Sequence, residues 1–254
     1  MRENKTIHTS FISFTNEIDD IINNYDIKGE AYGNQNRNSL RLFQLNEKTV
    51  NVKSFKIPNL VNQIAYRFFR KSKAQRSYEY AMKLQDLAVG TPQPIAYYEY
   101  VTTFLFKKSY YMTSQLDCDL TYRELTLDLN YPNHNEILRE FTRFTYSLHE
   151  KGIKFLDHSP GNTLIKKRGS TYEFYLVDLN RMEFKSLSFE ERIENFKRLT
   201  IHKSMVEVMS KEYAKCIEEP YEKIFDLMWS ETQKFQRKYK ARRNIKKKLK
   251  FWKN

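Results

Sequence analysis

Short runs of alternating apolar and polar side chains fill the first part of the chain: residues 25–33 (YDIKGEAYG), 39–45 (SLRLFQL) and 49–55 (TVNVKSF), separated by turn residues such as Asn34 and Asn46. A period of two puts successive side chains on opposite faces, so each run predicts a β-strand. In the third run Val50 and Val52 share one face, and Asn51 and Lys53 share the other. From residue 60 the period changes. Leu60, Ile64, Phe68 and Phe69, then Tyr78, Met82 and Leu87, recur at helical spacing, with a break near Lys71 and a stop at Gly90 and Pro92. Residues 94–113, rich in Tyr, Phe, Val and Thr, predict two more strands.

The second half turns helical. Asn133 and Glu136 form a capping-box signature ahead of Ile137, Leu138, Phe141, Phe144 and Leu148, and Gly152 stands where a helix C′ residue belongs. Residues 163–177 predict a hairpin: TLIKK, a turn at Arg168-Gly169-Ser170, then YEFYLV. Ser188 and Glu191 open another helix as Asn133 and Glu136 do, and Pro220 suits the first residue of a last one. Strands first and helices after predict an α+β protein in two lobes. The expected divisions are a small antiparallel-sheet lobe with a long helix over 1–113, a mainly helical lobe over 114–233, and a basic tail over 234–254.

At 254 residues and 40% apolar side chains, the chain is long enough to bury a core. It holds no run of 18 apolar residues, and its first residues, MRENKTIHTSFISF, lack a signal-peptide block, so a cytoplasmic location is expected. Two cysteines, Cys118 and Cys216, and five scattered histidines give neither a disulfide framework nor a zinc site. The net charge of +13 is local: eleven Lys/Arg and no acid lie in residues 234–254. Phe235, Tyr239, Ile245, Leu249 and Trp252 share a helical face there, interrupted by Lys238, Arg242 and Lys246. Such a segment fits an anionic membrane surface best, nucleic acid less well, and a solvated end is its plainest reading.

The hairpin carries the candidate chemistry. Antiparallel pairing brings its open ends together, placing Asn162 beside Asp178, and an amide oxygen beside a carboxylate suits Mg²⁺. Asp157 lies five residues before Asn162, across the turn His158-Ser159-Pro160-Gly161. Singly these read as turn, loop and capping residues; the joint spacing favours catalysis. Lys53 is the candidate contact for nucleotide phosphates, with Lys56, beyond the strand, its competitor. Glu79 is the carboxylate expected to hold Lys53, and Gly29 and Gly33 bracket a candidate phosphate-covering turn followed by the polar residues 34–38.

The segment LHEKGIKFLDHSPGN (148–162) aligns without gaps on the protein-kinase pattern L-H-x-x-G-I-x-H-R-D-x-x-P-x-N, in which the Asp is the base and the Asn a metal ligand. More widely, from about residue 25 to 200, the chain resembles the lipopolysaccharide core kinases, the Kdo/heptose (WaaP-like) branch of the protein-kinase-like superfamily. VNVKSFK (50–56), FFRKSKAQRSYEYA (68–81), TPQPIA (91–96), FLDHSPGN (155–162) and YLVDLNRMEF (175–184) carry the resemblance. It implies ATP- and Mg²⁺-dependent phosphorylation of an inner-core sugar of lipopolysaccharide at the cytoplasmic face of the inner membrane. Asp157 would be the base, Asn162 and Asp178 the metal ligands, and Lys53, Glu79, Gly29 and Gly33 the ATP side. The chain departs from the kinase pattern at Phe155-Leu156, where His-Arg is usual, and at Leu179-Asn180-Arg181, where Phe-Gly is usual. No A-P-E follows, which favours a small or carbohydrate acceptor, and Arg181 reads equally as an anion contact or as structural. The alternatives are a small-molecule or protein kinase of the same fold, or a pseudokinase serving as a membrane- or partner-binding module.

Overall fold

The alternation around Val50 becomes the middle of a six-stranded antiparallel sheet in the computed structural model, which describes residues 1–33 and 38–251. Its strands are β1 (Arg2–Ile7), β2 (Glu30–Tyr32), β3 (Ser39–Leu45), β4 (Lys48–Phe55), β5 (Pro94–Val101) and β6 (Phe106–Ser114), in the order β1-β5-β6-β4-β3-β2. Val50 and Val52 are fully buried, and they pack with Phe43, Ile95, Tyr98 and Met112 under α1 (Thr15–Asn23), which contributes Ile18, Ile21 and Ile22. Neither β1 nor α1 was expected from the alternation. Of residues 25–33 only β2 is a strand, because Tyr25 belongs to the turn after α1, where its hydroxyl donates to Ser39 O at 2.8 Å.

The helical stretch 60–87 is two helices, α2 (Leu60–Phe68) and α3 (Lys73–Asp86). The break falls where expected: Ser72 restarts the helix, its hydroxyl accepting from Gln75 N–H at 3.1 Å. α3 lays Ala74, Tyr78, Ala81 and Leu84 into the core. These elements form one of two units, residues 1–117 with 178–180; the other comprises 118–177 with 181–254.

The second unit contains β7 (Leu120–Thr121), α4 (Tyr122–Leu127), α5 (His134–Glu150), β8 (Ile153–Phe155), β9 (Thr163–Arg168), β10 (Thr171–Leu176), β11 (Met182–Phe184), α6 (Phe189–Glu194), α7 (Lys203–Ile217) and α8 (Tyr221–Phe251). Its core joins α5 to α7 and α8 through Ile137, Phe141, Met209, Tyr213, Ile224 and Met228. Burying a side chain as large as Phe141 contributes about 2–3 kcal/mol. The expected hairpin forms, with Thr163 opposite Leu176 and Gly169 turning at φ 60°.

The capping box expected at Asn133 does not form. Asn133 adopts a left-handed backbone (φ 59°), which turns its side chain away from the helix, and its amide bonds the Tyr172 hydroxyl at 3.3 Å instead. Thr121 with Glu124, and Ser188 with Glu191, do form complete capping boxes. Gly152 ends α5 at φ 68°, and a Cβ there would meet the Lys185 carbonyl at 2.9 Å, so only glycine fits. Among the described residues no helix is long and apolar enough to cross a membrane.

Candidate active site

Lys53 is held by its strand on both sides, opposite Leu40 on β3 and Tyr111 on β6. Its face is opposite the buried Val52, so the side chain leaves the core, and Nζ donates to Asp178 Oδ1 at 2.6 Å. Asn180 donates to the same oxygen at 2.8 Å. No hydrogen bond among the described residues reaches Asp178 Oδ2. The Asp178 backbone is left-handed, φ 58°, a conformation that costs most side chains about 1–2 kcal/mol but that Asp and Asn relieve locally.

The pairing expected between Glu79 and Lys53 is not made. Glu79 accepts from Lys71 Nζ at 2.9 and 2.8 Å and from Gln75 Nε2 at 3.0 Å. The cause is local: the interruption at Ser72 brings Lys71 back over the first turns of α3, while Asp178 satisfies Lys53. Lys56 lies past the end of β4, exposed, as expected of the competitor. Gly29 and Gly33 bracket β2 at φ 84° and 65°, and a Cβ on Gly29 would stand 2.5 Å from the Phe43 ring. Residues 34–37, the polar stretch after that turn, lie outside the described residues.

Asp157 is positioned by the short ladder of β8 and β11, where Phe155 faces Met182 and Leu156 N–H donates to Arg181 O. The turn after it is closed by Asn162, whose backbone N–H bonds Ser159 O at 2.9 Å and whose amide Nδ2 donates to Asp157 O at 2.8 Å. Asn162 O in turn accepts from Val177 N–H at 3.0 Å, one residue before Asp178. The Asn162 Oδ1 atom accepts nothing from the described residues. Two guanidinium groups then fix the Asp157 carboxylate: Arg181 donates to Oδ1 at 3.1 Å and Arg198 donates to the same atom at 2.6 Å. Oδ2 receives no bond from the described residues.

Arg198 is the residue that motif reading missed. It lies 41 positions after Asp157, bonds Leu156 O at 2.8 Å, and rests its guanidinium 5.3 Å from the Phe235 ring centroid on α8. No local pattern marks it. Arg181, undecided from sequence, has the same partner, and Asn180 was visible only as a departure from Phe-Gly. His158 is fully buried between the Phe141 and Phe155 rings, centroids 5.3 and 5.7 Å away, and burial pulls its pKa down to about 3. It is therefore a neutral packing residue beside Asp157, not a proton donor at neutral pH. Gly161 leaves room for the Arg123 guanidinium of α4, which a Cβ at this position would run into.

Within its own unit, then, Asp157 presents one oriented oxygen with its partner oxygen neutralised, and Asn162 presents an amide oxygen. In the other unit Lys53 presents a cation held by Asp178, which keeps one carboxylate oxygen uncommitted. These are the donor types that phosphoryl transfer uses to orient a hydroxyl and to hold phosphate and Mg²⁺.

A family model for the lipopolysaccharide kinase (Kdo/WaaP) family matches residues 29–221. Among solved structures the chain is similar to one described as WaaP in complex with acyl carrier protein, with a TM-score of 0.64 over 95% of this chain and 99% of that one. At 15% identity that likeness is one of fold. It agrees with the expected α+β class of antiparallel sheet followed by a mainly helical part. No curated protein matches.

Proposed function

The chain belongs to the lipopolysaccharide kinase (Kdo/WaaP) family, and on that premise we propose that it transfers the γ-phosphate of ATP to a hydroxyl of Kdo or heptose in the lipopolysaccharide inner core. The observation that carries this reading is the Asp157 carboxylate, turned by Arg181 and Arg198 so that one oxygen stays available. That oxygen is suited to take the acceptor proton, and a second basic side chain beyond charge balance suits an acceptor that is itself anionic, such as a Kdo carboxylate or a phosphorylated sugar. Asn162 Oδ1 and Asp178 would hold Mg²⁺, whose octahedral shell two protein oxygens leave largely to phosphate and water. The ion would neutralise charge on the phosphates. Lys53 would contact the phosphates, with Gly29 and Gly33 on the nucleotide side. Glu79 would act on Lys53 only indirectly, since its carboxylate is taken by Lys71.

The test is transfer of labelled phosphate from ATP to purified core oligosaccharide, with and without Mg²⁺. A deletion strain should yield lipid A–core lacking one phosphate, seen by mass spectrometry. Phosphorylation of a protein with none of the sugar would refute the acceptor assignment.

Lys53→Met should weaken nucleotide binding by about tenfold to a hundredfold, the about 1.5–3 kcal/mol of a charge-assisted hydrogen bond. Lys56→Met should leave it nearly unchanged, because Lys56 is exposed beyond the end of β4. Isothermal titration with Mg²⁺–ATP compares the two, and a larger loss in Lys56→Met would place the phosphates elsewhere.

The acceptor is carried on a membrane lipid, so a peripheral location at the cytoplasmic face of the inner membrane belongs to the same proposal. The basic residues from Lys234 onward extend α8 as helix through Phe251, and each Lys or Arg near an anionic surface contributes about 1 kcal/mol. Trp252 and Lys253 of that tail lie outside the described residues.

A further inference from the structure

Helix α2 is amphipathic in the wrong sense for a helix that covers a core. Its half-buried side is the polar one: Gln63 Nε2 donates to Pro58 O at 2.9 Å, Arg67 Nε donates to Thr102 O at 3.0 Å, and Tyr66 lies against Phe106 with centroids 5.6 Å apart. Its solvent side is apolar. Leu60, Val61, Ile64 and Phe68 follow one another at helical spacing and all are exposed, Val61 at 76%. α2 buries no residue fully. The apolar strip extends past the helix to Phe69, 80% exposed, and the Arg67–Thr102 bond brings the β5–β6 turn, with Phe104 71% exposed, to the same end.

The surroundings say what covers such a strip. From Lys56 to Arg76 the chain has six basic residues (Lys56, Arg67, Arg70, Lys71, Lys73 and Arg76) and no acid. Lys71 is paired with Glu79, but a second copy of the chain would still bring the other five cations against their own kind, which disfavours self-association through this face. An apolar stripe with Lys and Arg at its margins is the composition of a helix that lies in the plane of an anionic bilayer, apolar side down among the acyl chains.

We propose that α2, with Phe69 and Phe104, is a membrane-inserting face that seats the enzyme on an anionic lipid surface. The assignment deepens the proposed membrane-borne acceptor, but binding is measurable without any acceptor, so the two can fail separately. It also differs in physics from the basic tail. The tail's attraction is electrostatic and fades as the Debye length shrinks, from about 8 Å at 0.15 M salt to about 3 Å at 1 M. An inserted apolar face holds at high salt.

The experiment is co-sedimentation with protein-free vesicles of phosphatidylglycerol and phosphatidylethanolamine, against vesicles of phosphatidylcholine, at low and high salt. Four proteins are compared: the full chain, the chain shortened after Gln236, Val61→Glu/Phe68→Glu, and the two changes together. The shortened chain is expected to keep binding anionic vesicles with part of that binding resistant to salt. The double glutamate should lose the resistant part, by about tenfold for each apolar side chain kept in water. Turnover on a soluble acceptor and the melting temperature should stay as they were, since both residues are exposed. Should the glutamates lower the melting temperature, Val61→Ser/Phe68→Ser is read in the same way. Equal binding by the glutamate protein overturns the proposal. So does a dimer that these substitutions split, or an acidic protein that binds this face while vesicles do not. None of these results bears on the kinase assignment, which the soluble acceptor reads.

Discussion

Asp178→Asn is expected to yield a folded protein whose phosphoryl transfer falls by at least about a thousandfold, the several kcal/mol by which a bound metal ion stabilises charge on transferring phosphate. The substitution keeps the shape of the side chain and tolerates the left-handed backbone at φ 58°. What it removes is charge. The carboxylate that accepts from Lys53 at 2.6 Å and Asn180 at 2.8 Å becomes a neutral amide, a poor ligand for Mg²⁺ and a poor partner for an ammonium group. Nucleotide binding should therefore lose its Mg²⁺ dependence, measurable as a melting-temperature shift by ATP that is the same with and without the ion. Circular dichroism should match that of the parent protein. Normal turnover by Asp178→Asn would mean that the metal is held elsewhere.

Asp157→Ala should lower kcat by about 10²–10⁴-fold with little change in the Kd for ATP, because in the proposed role Asp157 addresses the acceptor and not the nucleotide. Its truncation also releases Arg181 and Arg198, so the loss combines a missing base with two freed cations. Asp157→Asn narrows the difference: it keeps an oxygen that both guanidinium groups can still bond, while losing the proton acceptor and the negative charge of the two ion pairs. The pair should be similarly inactive, with Asp157→Asn the closer to the parent in melting temperature. If ATP affinity collapses along with kcat in both, the role of Asp157 is to shape the loop.

Much of this arrangement was legible in the chain because it is local. The strands at 39–45 and 48–55 follow from alternation, the hairpin from two short runs around Gly169, and the break in the helix near Lys71 from the lapse in helical periodicity. The hairpin ends and the D-x4-N spacing then located Asp157, Asn162 and Asp178 as candidates. What stayed hidden depends on long-range contact. β1 joins its sheet beside β5, some ninety positions later, and nothing in RENKTI marks that pairing. Glu79 was paired with Lys53 on helical position alone, whereas the fold brings Lys71 to it. Arg198 could not be picked from among 44 Lys and Arg until the fold laid it on Asp157. The exposed face of α2 had the spacing of a core helix, and periodicity cannot tell which side of a helix is wet.

Phe235 draws a border that charge does not. Composition changes at Lys234, but the ring one residue later still backs the Arg198 guanidinium, and Gln236 is half-buried; only from Arg237 to Ile245 is every side chain exposed. The packed part of α8 therefore outlasts the change in composition. In a chain cut at Lys234 the missing ring would be two contacts from the Asp157 carboxylate, Phe235 to Arg198 and Arg198 to Asp157. A drop in turnover after such a cut would report an Asp157 that has lost its brace, whether or not any lipid is present. Shortening after Gln236 keeps that brace while removing ten of the eleven basic residues of the tail, along with its apolar residues from Tyr239 onward.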